Sequence, residues 1–313
     1  MLLRQHFGHR INDSQLNRAN SVLKSGIFGS RFSFLGRLPR FTGETRCTDL
    51  SSTAQSMPRF LIAFIGLSIC AHSAPPSAAI GAGSGLNAVV LEAIRTMPRE
   101  GGYSTTPITG QLLSEAIKVG PRGLEIDAEG AAPSYCASAT YLVFLTVYER
   151  LLREGQLTLE ASALESLRVA PGQIDGEGIW GRWNANGPGT ARLFHELQLG
   201  QNFSDWSQAR PGDFMKIFWS PEIGKRERGH SVIYLGTERE GGVEYVRFWS
   251  SNKPRGYGEK RVTRKSVAFA IFSRLEHPEN LNRGAAIPKR DAYLASLLTV
   301  PSSQAEVREK CGM

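Results

Sequence analysis

The chain has 313 residues, 41% of them hydrophobic and 21% charged, enough apolar content for a core and too little charge for a wholly disordered chain. The formal charge of +8 is unevenly placed: residues 1–73 hold nine Lys/Arg against three Asp/Glu, whereas residues 74–313 hold 28 against 26, so the body carries no concentrated positive field and no nucleic-acid partner is expected. The four cysteines, Cys47, Cys70, Cys136 and Cys311, form no C-x-x-C pair and no dense framework, which argues against a zinc ribbon or a disulfide knot.

Residues 1–56 are rich in Arg, Ser and Asn and show no sustained periodicity. From Met57 the chain reads MPRFLIAFIGLSICAHSAPPSAA, with a basic Arg59, an apolar stretch Phe60–Cys70 and small residues around Ala71-His72-Ser73. These are the three parts of a secretory signal peptide over 57–73, too short to span a membrane comfortably. The reading favoured is that Met57 initiates and residues 1–56 are a non-native or disordered extension; an organelle transit segment is the alternative. A lipoprotein anchored at Cys70 is disfavoured by the bulky Ile69. The expected location is therefore secreted or periplasmic, without stable membrane insertion after cleavage.

Residues 74–86 form a small-residue linker, and the domain is expected over 87–275. Asn87 can cap a helix running to about Met97, and a second short helix is predicted near Gln111–Val119, stopped by Gly120-Pro121-Arg122-Gly123. The strongest helix follows Ser134: YCASATYLVFLTVYERLLREG places Ala137, Tyr141, Phe144, Leu145, Tyr148 and Leu152 at helical spacing and ends at Gly155. It is apolar nearly all round and should be buried at the centre. A shorter helix is expected at about Leu159–Val169, an ordered Gly/Trp/Asn-rich loop over Pro171–Gly189, and a helix over Thr190–Leu199. Beyond Gln208, the segments Phe214–Trp219, Ser231–Leu235, Val243–Trp249 and Val267–Phe272 read as strands, with Glu240-Gly241-Gly242 as a hairpin turn. Helices followed by antiparallel strands indicate an α+β fold. The stretch 276–313 reads as a tail with one helix near Arg290–Leu298.

Cys136 opens the central helix, where the unpaired backbone N–H groups and the dipole favour a thiolate and could receive an oxyanion. A small buried core residue, or a disulfide with Cys311, would use the same cysteine without chemistry. Of the body histidines, His195 follows no zinc-protease spacing and His277 lies in a Pro-containing loop. His230, at the mouth of the strand SVIYLG, is the one placed to meet a helix end. Ser250 and Asn252 emerge from FWSSN with one facing, and the Asn252 amide oxygen could orient the imidazole. A plain turn in Ser-Ser-Asn-Lys-Pro is the alternative.

Taken in order, YCASATYLVFL around Cys136, ARPGDFMKIFW at Ala209–Trp219, GHSVIYLG at Gly229–Gly236 and FWSSN at Phe248–Asn252 resemble NlpC-type and CHAP cysteine peptidases over about residues 130–275. The resemblance implies a papain-like core of N-terminal helices on a short antiparallel sheet, with Cys136 as nucleophile and His230 as base. It also implies action on cell-wall peptides. Ser250 stands where CHAP members carry Glu, while Asn252 keeps the amide, and Tyr135-Cys136-Ala137-Ser138 departs from the usual Asp-Cys-Ser-Gly. The insertion GIWGRWNANGPGTARLF is unmatched; its Trp180, Arg182, Trp183 and Asn184 could line a glycan or peptide groove, or simply pack over a core.

The expected function is a secreted Cys-His-Asn hydrolase of peptide or amide bonds, its partner peptidoglycan or a peptide, with the oxyanion received by the Cys136 amide and Tyr135. No metal or organic cofactor is required. The alternative is a catalytically silent wall-binding or scaffold protein on the same fold.

Overall fold

The computed structural model describes residues 86–120 and 123–313, so the extension, the signal peptide with Cys70, and the linker up to residue 85 lie outside the described residues. The fold is mixed α+β, built on a seven-stranded sheet whose strand neighbours all run antiparallel. The strands are β1 (Glu100–Gly101), β4 (Gly200–Phe203), β5 (Phe214–Phe218), β6 (His230–Glu240), β7 (Val243–Asn252), β8 (Gly256–Thr263) and β9 (Phe269–Leu275), arranged β1-β8-β7-β6-β5-β9-β4. A separate hairpin pairs β2 (Ile117–Gly120) with β3 (Gly123–Ile126).

The helices are α1 (Asn87–Thr96), α2 (Pro107–Ala116), α3 (Cys136–Arg153), α4 (Ala161–Ser166), α5 (Gly178–Asn184), α6 (Gly189–Leu197), α7 (Ala292–Ser296) and α8 (Gln304–Lys310). Among the described residues no helix is long and apolar enough to cross a membrane. The central helix α3 is buried along most of its length, and its last turn carries Arg150 and Arg153, which suit the negative end of its dipole. Gly155 beyond it takes φ +67°, the left-handed cap conformation. Phe144 of α3 meets Trp183 at 4.7 Å and Phe214 of β5 at 6.0 Å edge-on, so the aromatic core locks helix, sheet and the α5 loop together. Full burial of each such side chain contributes about 1.5–3 kcal/mol.

The hairpin joining β6 and β7 turns through Gly241 (φ +56°) and Gly242 (φ +79°), with Glu240 opposite Val243. A two-residue turn with both φ values positive matches the right-handed strand twist and selects glycine. Strands β6 and β7 outlast the expected segments, reaching back to His230 and forward to Asn252. Strand β8 was not expected: GYGEKRVT lacks apolar alternation because its charges sit on a solvent face, where Arg261 pairs with Glu238 and Glu240 and Arg247 reaches Glu259.

Other boundaries move for local reasons. The second helix starts at Pro107, a residue suited to a first turn, and Ile117 leaves it for the β2–β3 hairpin. The expected loop Pro171–Gly189 contains α5. The helix expected over Leu159–Val169 is confined to Ala161–Ser166, and α6 ends at Leu197 before Gln198 (φ +54°) turns the chain into β4.

The segment after Glu276 is no loose tail. Leu281, Leu294, Leu297, Val307 and Cys311 are fully or almost fully buried, the last two against Phe218 and Phe269. Asp291 caps α7 by accepting from the Leu294 N–H, and it also binds Arg192 at 2.9 Å.

The Pro-Gly-Asp element before β5 has a structural task. Asp213 is fully buried and accepts two hydrogen bonds from Arg274 of β9 (2.9 and 2.8 Å) and one from Asn87 (2.8 Å). Asn87 therefore does not cap α1; its amide ties that helix to Asp213 and to the Pro211 carbonyl. Gly212 sits at φ +96° with the Asn87 carbonyl 2.6 Å from where a Cβ would be, so no other residue fits without a shift. Asp213→Ala, which strands the buried Arg274, should lower unfolding free energy in urea by about 3–5 kcal/mol, with a loss below about 1 kcal/mol contradicting this anchoring role.

Candidate active site

Cys136 is the first residue of α3, after Tyr135 in extended conformation (φ −128°, ψ 174°). Backbone N–H groups of a first helical turn have no partner within the helix, so they and the positive end of the dipole face whatever lies before it. The thiol is only partly buried and forms no disulfide, as is true of Cys311, so the Cys136–Cys311 bridge is ruled out. Cys311 instead lies buried beyond the end of α8, where burial pushes its thiol up to about 12.

His230 opens β6 opposite Ile217 of β5. The residue before it, Gly229, takes φ +75°, and a Cβ there would lie 2.8 Å from both Lys216 Cε and Phe218 Cε1. The Gly-His pair is thus dictated by a lysine stem crossing beneath it. The imidazole hydrogen-bonds the Cys136 thiol and packs edge-on to Phe248 with ring centroids 5.6 Å apart.

Asn252, the last residue of β7, places Oδ1 3.2 Å from His230 Nε2. Its orientation is set by its other end: Nδ2 donates to the carbonyls of Ser250 (3.1 Å) and Gly258 (2.9 Å), which only an amide nitrogen can do. An amide oxygen only accepts, so Nε2 carries a proton, and whenever the ring is neutral Nδ1 is the acceptor left to the thiol. That is the tautomer a general base requires.

Ser250 has a different role from the one its position suggested. It is fully buried and its hydroxyl donates to the Ser231 carbonyl at 2.7 Å, bracing β7 on the strand that carries His230; the third position belongs to Asn252. Ser251 faces the other way and donates to the carbonyl of Ser134 at 3.0 Å, two residues before Cys136. Three consecutive residues therefore hold the histidine strand, the cysteine loop and the imidazole.

Burial alone would push the Cys136 thiol up. The hydrogen bond and positive charge of His230, the charge of Lys216 and a hydrogen bond from the Ser231 backbone outweigh it and hold the thiol down at about 6. Lys216 is the residue sequence reading missed. It lies on β5, 5% exposed, with Nζ donating to Ser231 Oγ at 3.1 Å, and burial lowers its own proton affinity while Cys136, Asp175 and Glu227 raise it. A charged residue in the otherwise apolar FMKIF was the available signal.

A cleft of about 710 Å³ opens beside the thiol, lined by Tyr103, Tyr135, Cys136, Trp180, Asn184 and Lys216 among others. Burial pushes the Tyr135 phenol up to about 12, so it keeps its proton and remains a donor at neutral pH. Of the four residues expected to form a groove, Trp180 and Asn184 line this cleft and the other two do not. Trp183 is fully buried, its Nε1 donating to Thr140 Oγ1 at 3.2 Å. Arg182, equally buried, spends its guanidinium on Glu196 (2.6 Å) and on the carbonyls of Gly176, Gly178 and Pro288. Both are core residues that fold the insertion. His195 is exposed near Cys311, and His277 is exposed beside Glu279, far in role from the thiol. Among the described residues no group of His, Cys, Asp or Glu is arranged to hold a metal ion.

No protein-family model, curated protein or solved structure matches this chain.

The groups acting on the thiol give a pH profile. His230 and Lys216 act on it to favour the thiolate, and the phenols of Tyr103 and Tyr135 lie beside it. Alkylation of Cys136 by iodoacetamide should rise as pH passes through about 6 and then level off, and in His230→Ala the rise should move up toward the ordinary thiol value of 9.0. A wild-type midpoint near 9 in mass-resolved labelling would contradict an activated thiol.

Proposed function

We propose that the protein is a cysteine hydrolase of peptide or amide bonds, with a papain-like arrangement of helix and sheet, and that its substrate is the peptide part of peptidoglycan. The observation that carries the chemistry is the Asn252 amide, locked by two carbonyls, presenting the correct imidazole tautomer to a thiol held near neutrality. The substrate class rests on the resemblance of the Cys136, Pro211-Gly212-Asp213, Gly229-His230 and Phe248–Asn252 elements to NlpC-type and CHAP enzymes. A secreted or periplasmic setting is proposed with it, from the signal-like segment 57–73 that lies outside the described residues.

In this reading Cys136 Sγ, having given its proton to His230 Nδ1, attacks the scissile carbonyl. The carbonyl oxygen gathers negative charge against the Cys136 backbone N–H and the Tyr135 hydroxyl. Collapse of the tetrahedral species breaks the C–N bond, and His230 hands its proton to the departing amine. A water molecule, deprotonated by the same imidazole, then attacks the thioester and releases the acid and the free thiol. Asn252 keeps the ring in place through both halves and stabilises the imidazolium by accepting from Nε2.

Cys136→Ala should abolish release of peptide fragments from purified sacculi while leaving the melting temperature nearly unchanged. His230→Ala should lower the rate by about 10²–10⁴-fold. Undiminished fragment release by Cys136→Ala would end the proposal, and product masses from a muropeptide panel would name the bond.

A further inference from the structure

Lys216 brings a buried ammonium to the cleft with donor capacity that its hydrogen-bond partner does not fill. A lysine ammonium has three donors, and here one is used, on Ser231 Oγ. Among the described residues no carboxylate hydrogen-bonds it: Asp175 and Glu227 act on it only through space, and Asp175 spends one oxygen on the Asn186 N–H at 2.9 Å. Its side chain leaves the face of β5 that also carries Phe214 and packs on α3, and it lines the cleft together with Cys136. At the cleft's edge the exposed Arg228 and Lys253 add positive charge, and Asp175 is the single carboxylate lining it.

We propose that this cleft contains an anion subsite built on Lys216, and that the substrate carries a carboxylate next to the carbonyl attacked by Cys136. As a statement about substrate this rests on the hydrolase reading; as a statement about binding it stands on the lysine alone. The reaction itself supplies a reason. A Cys136 thiolate is the negative charge that acts most strongly on Lys216, ahead of Asp175 and Glu227, but that charge leaves the sulfur when the C–S bond forms, and the thioester that results is neutral. A buried ammonium would then stand unpaired, a costly state. A substrate carboxylate held on the two free N–H groups keeps it paired from binding until hydrolysis restores the thiolate. Arg228 and Lys253, being exposed, draw anions toward the cleft in a salt-sensitive way, whereas the contact with Lys216 is shielded from salt by its burial.

Two alkylating agents of similar size test this without any hydrolysis assay. Iodoacetate and iodoacetamide attack the same thiolate, so the ratio of their rates at Cys136 cancels any change in thiolate fraction and reports preference for an anion. The wild-type ratio should exceed that of free N-acetylcysteine. In Lys216→Met it should fall about tenfold, the loss of one charge-assisted hydrogen bond. An unchanged ratio overturns the subsite, even if both rates drop together. Should Lys216→Met fail to fold, wild-type protein decides: glutarate should protect Cys136 from iodoacetamide and glutaramide should not at equal ionic strength. Equal protection, or none, overturns it. A wild-type ratio above that of N-acetylcysteine that falls in Lys216→Met, found together with sacculi left undigested, would instead sink the peptidoglycan hydrolase reading and leave the anion subsite standing.

Discussion

The end of β7 is the constraint on which the site depends. Ser250, Ser251 and Asn252 are consecutive, so strand alternation sends the first and third to one face and the second to the other. Ser250 takes the carbonyl beside His230, Ser251 the carbonyl ahead of Cys136, and Asn252 the imidazole. Each such bond contributes only about 0.5–1.5 kcal/mol net. Their joint effect is geometric: two segments of chain about ninety residues apart are referred to one strand, itself paired with β6 over Val243–Trp249 and with β8 over Tyr245–Asn252. Displacement of the thiol relative to the imidazole would have to break β-ladder pairing as well as side-chain contacts.

The two described cysteines form an internal comparison of what environment does to a thiol. Both are free. Cys311 lies beyond the carbonyl end of α8, buried, with Asp291 opposing what Arg192 offers, and its thiol is pushed up to about 12. Cys136 lies at the amide end of α3, where His230 and Lys216 act on it, and is held at about 6. Desolvation acts in the same direction on both. What separates them is the His230 and Ser231 hydrogen bonds and the added electrostatic help of His230 and Lys216 at Cys136, against a single cation opposed by Asp291 at Cys311, so the reactivity belongs to placement rather than to residue type.

Much of this was legible because it obeys simple periodicities. The apolar spacing in YCASATYLVFLTVYERLLREG marks α3, and Gly241-Gly242 between β-branched runs marks the hairpin. The Cys, His and Asn of the site were visible because each stands at an element's end, where a side chain is exposed to a neighbour. Arg182 and Trp183 misled for the opposite reason. A Trp-rich glycine loop has the composition of a binding surface, and only the partners of Arg182, four of them within the fold, reveal a core hub. Strand β8 was hidden by its solvent-facing charges, and Lys216 by lying in a strand whose other residues are apolar.

Ser250 and Lys216 are best understood together. The expectation from sequence resemblance is an acid at the place of Ser250. Here that place is sealed, and its hydroxyl is committed to a backbone carbonyl 2.7 Å away. A carboxylate there would be buried with no cation bonded to it, at a cost of several kcal/mol. Its negative charge would also favour the imidazolium and oppose the thiolate. With a neutral serine in that position, the cationic side of the balance is left to His230 and Lys216, the latter one strand further into the sheet and joined to β6 through Ser231. The same Ser231 gives its carbonyl to Ser250 and its hydroxyl to Lys216, and its backbone hydrogen-bonds the thiol. Charge that activates the sulfur is thus supplied from beneath the cleft rather than from behind the histidine, which places it where a bound anion can also reach it.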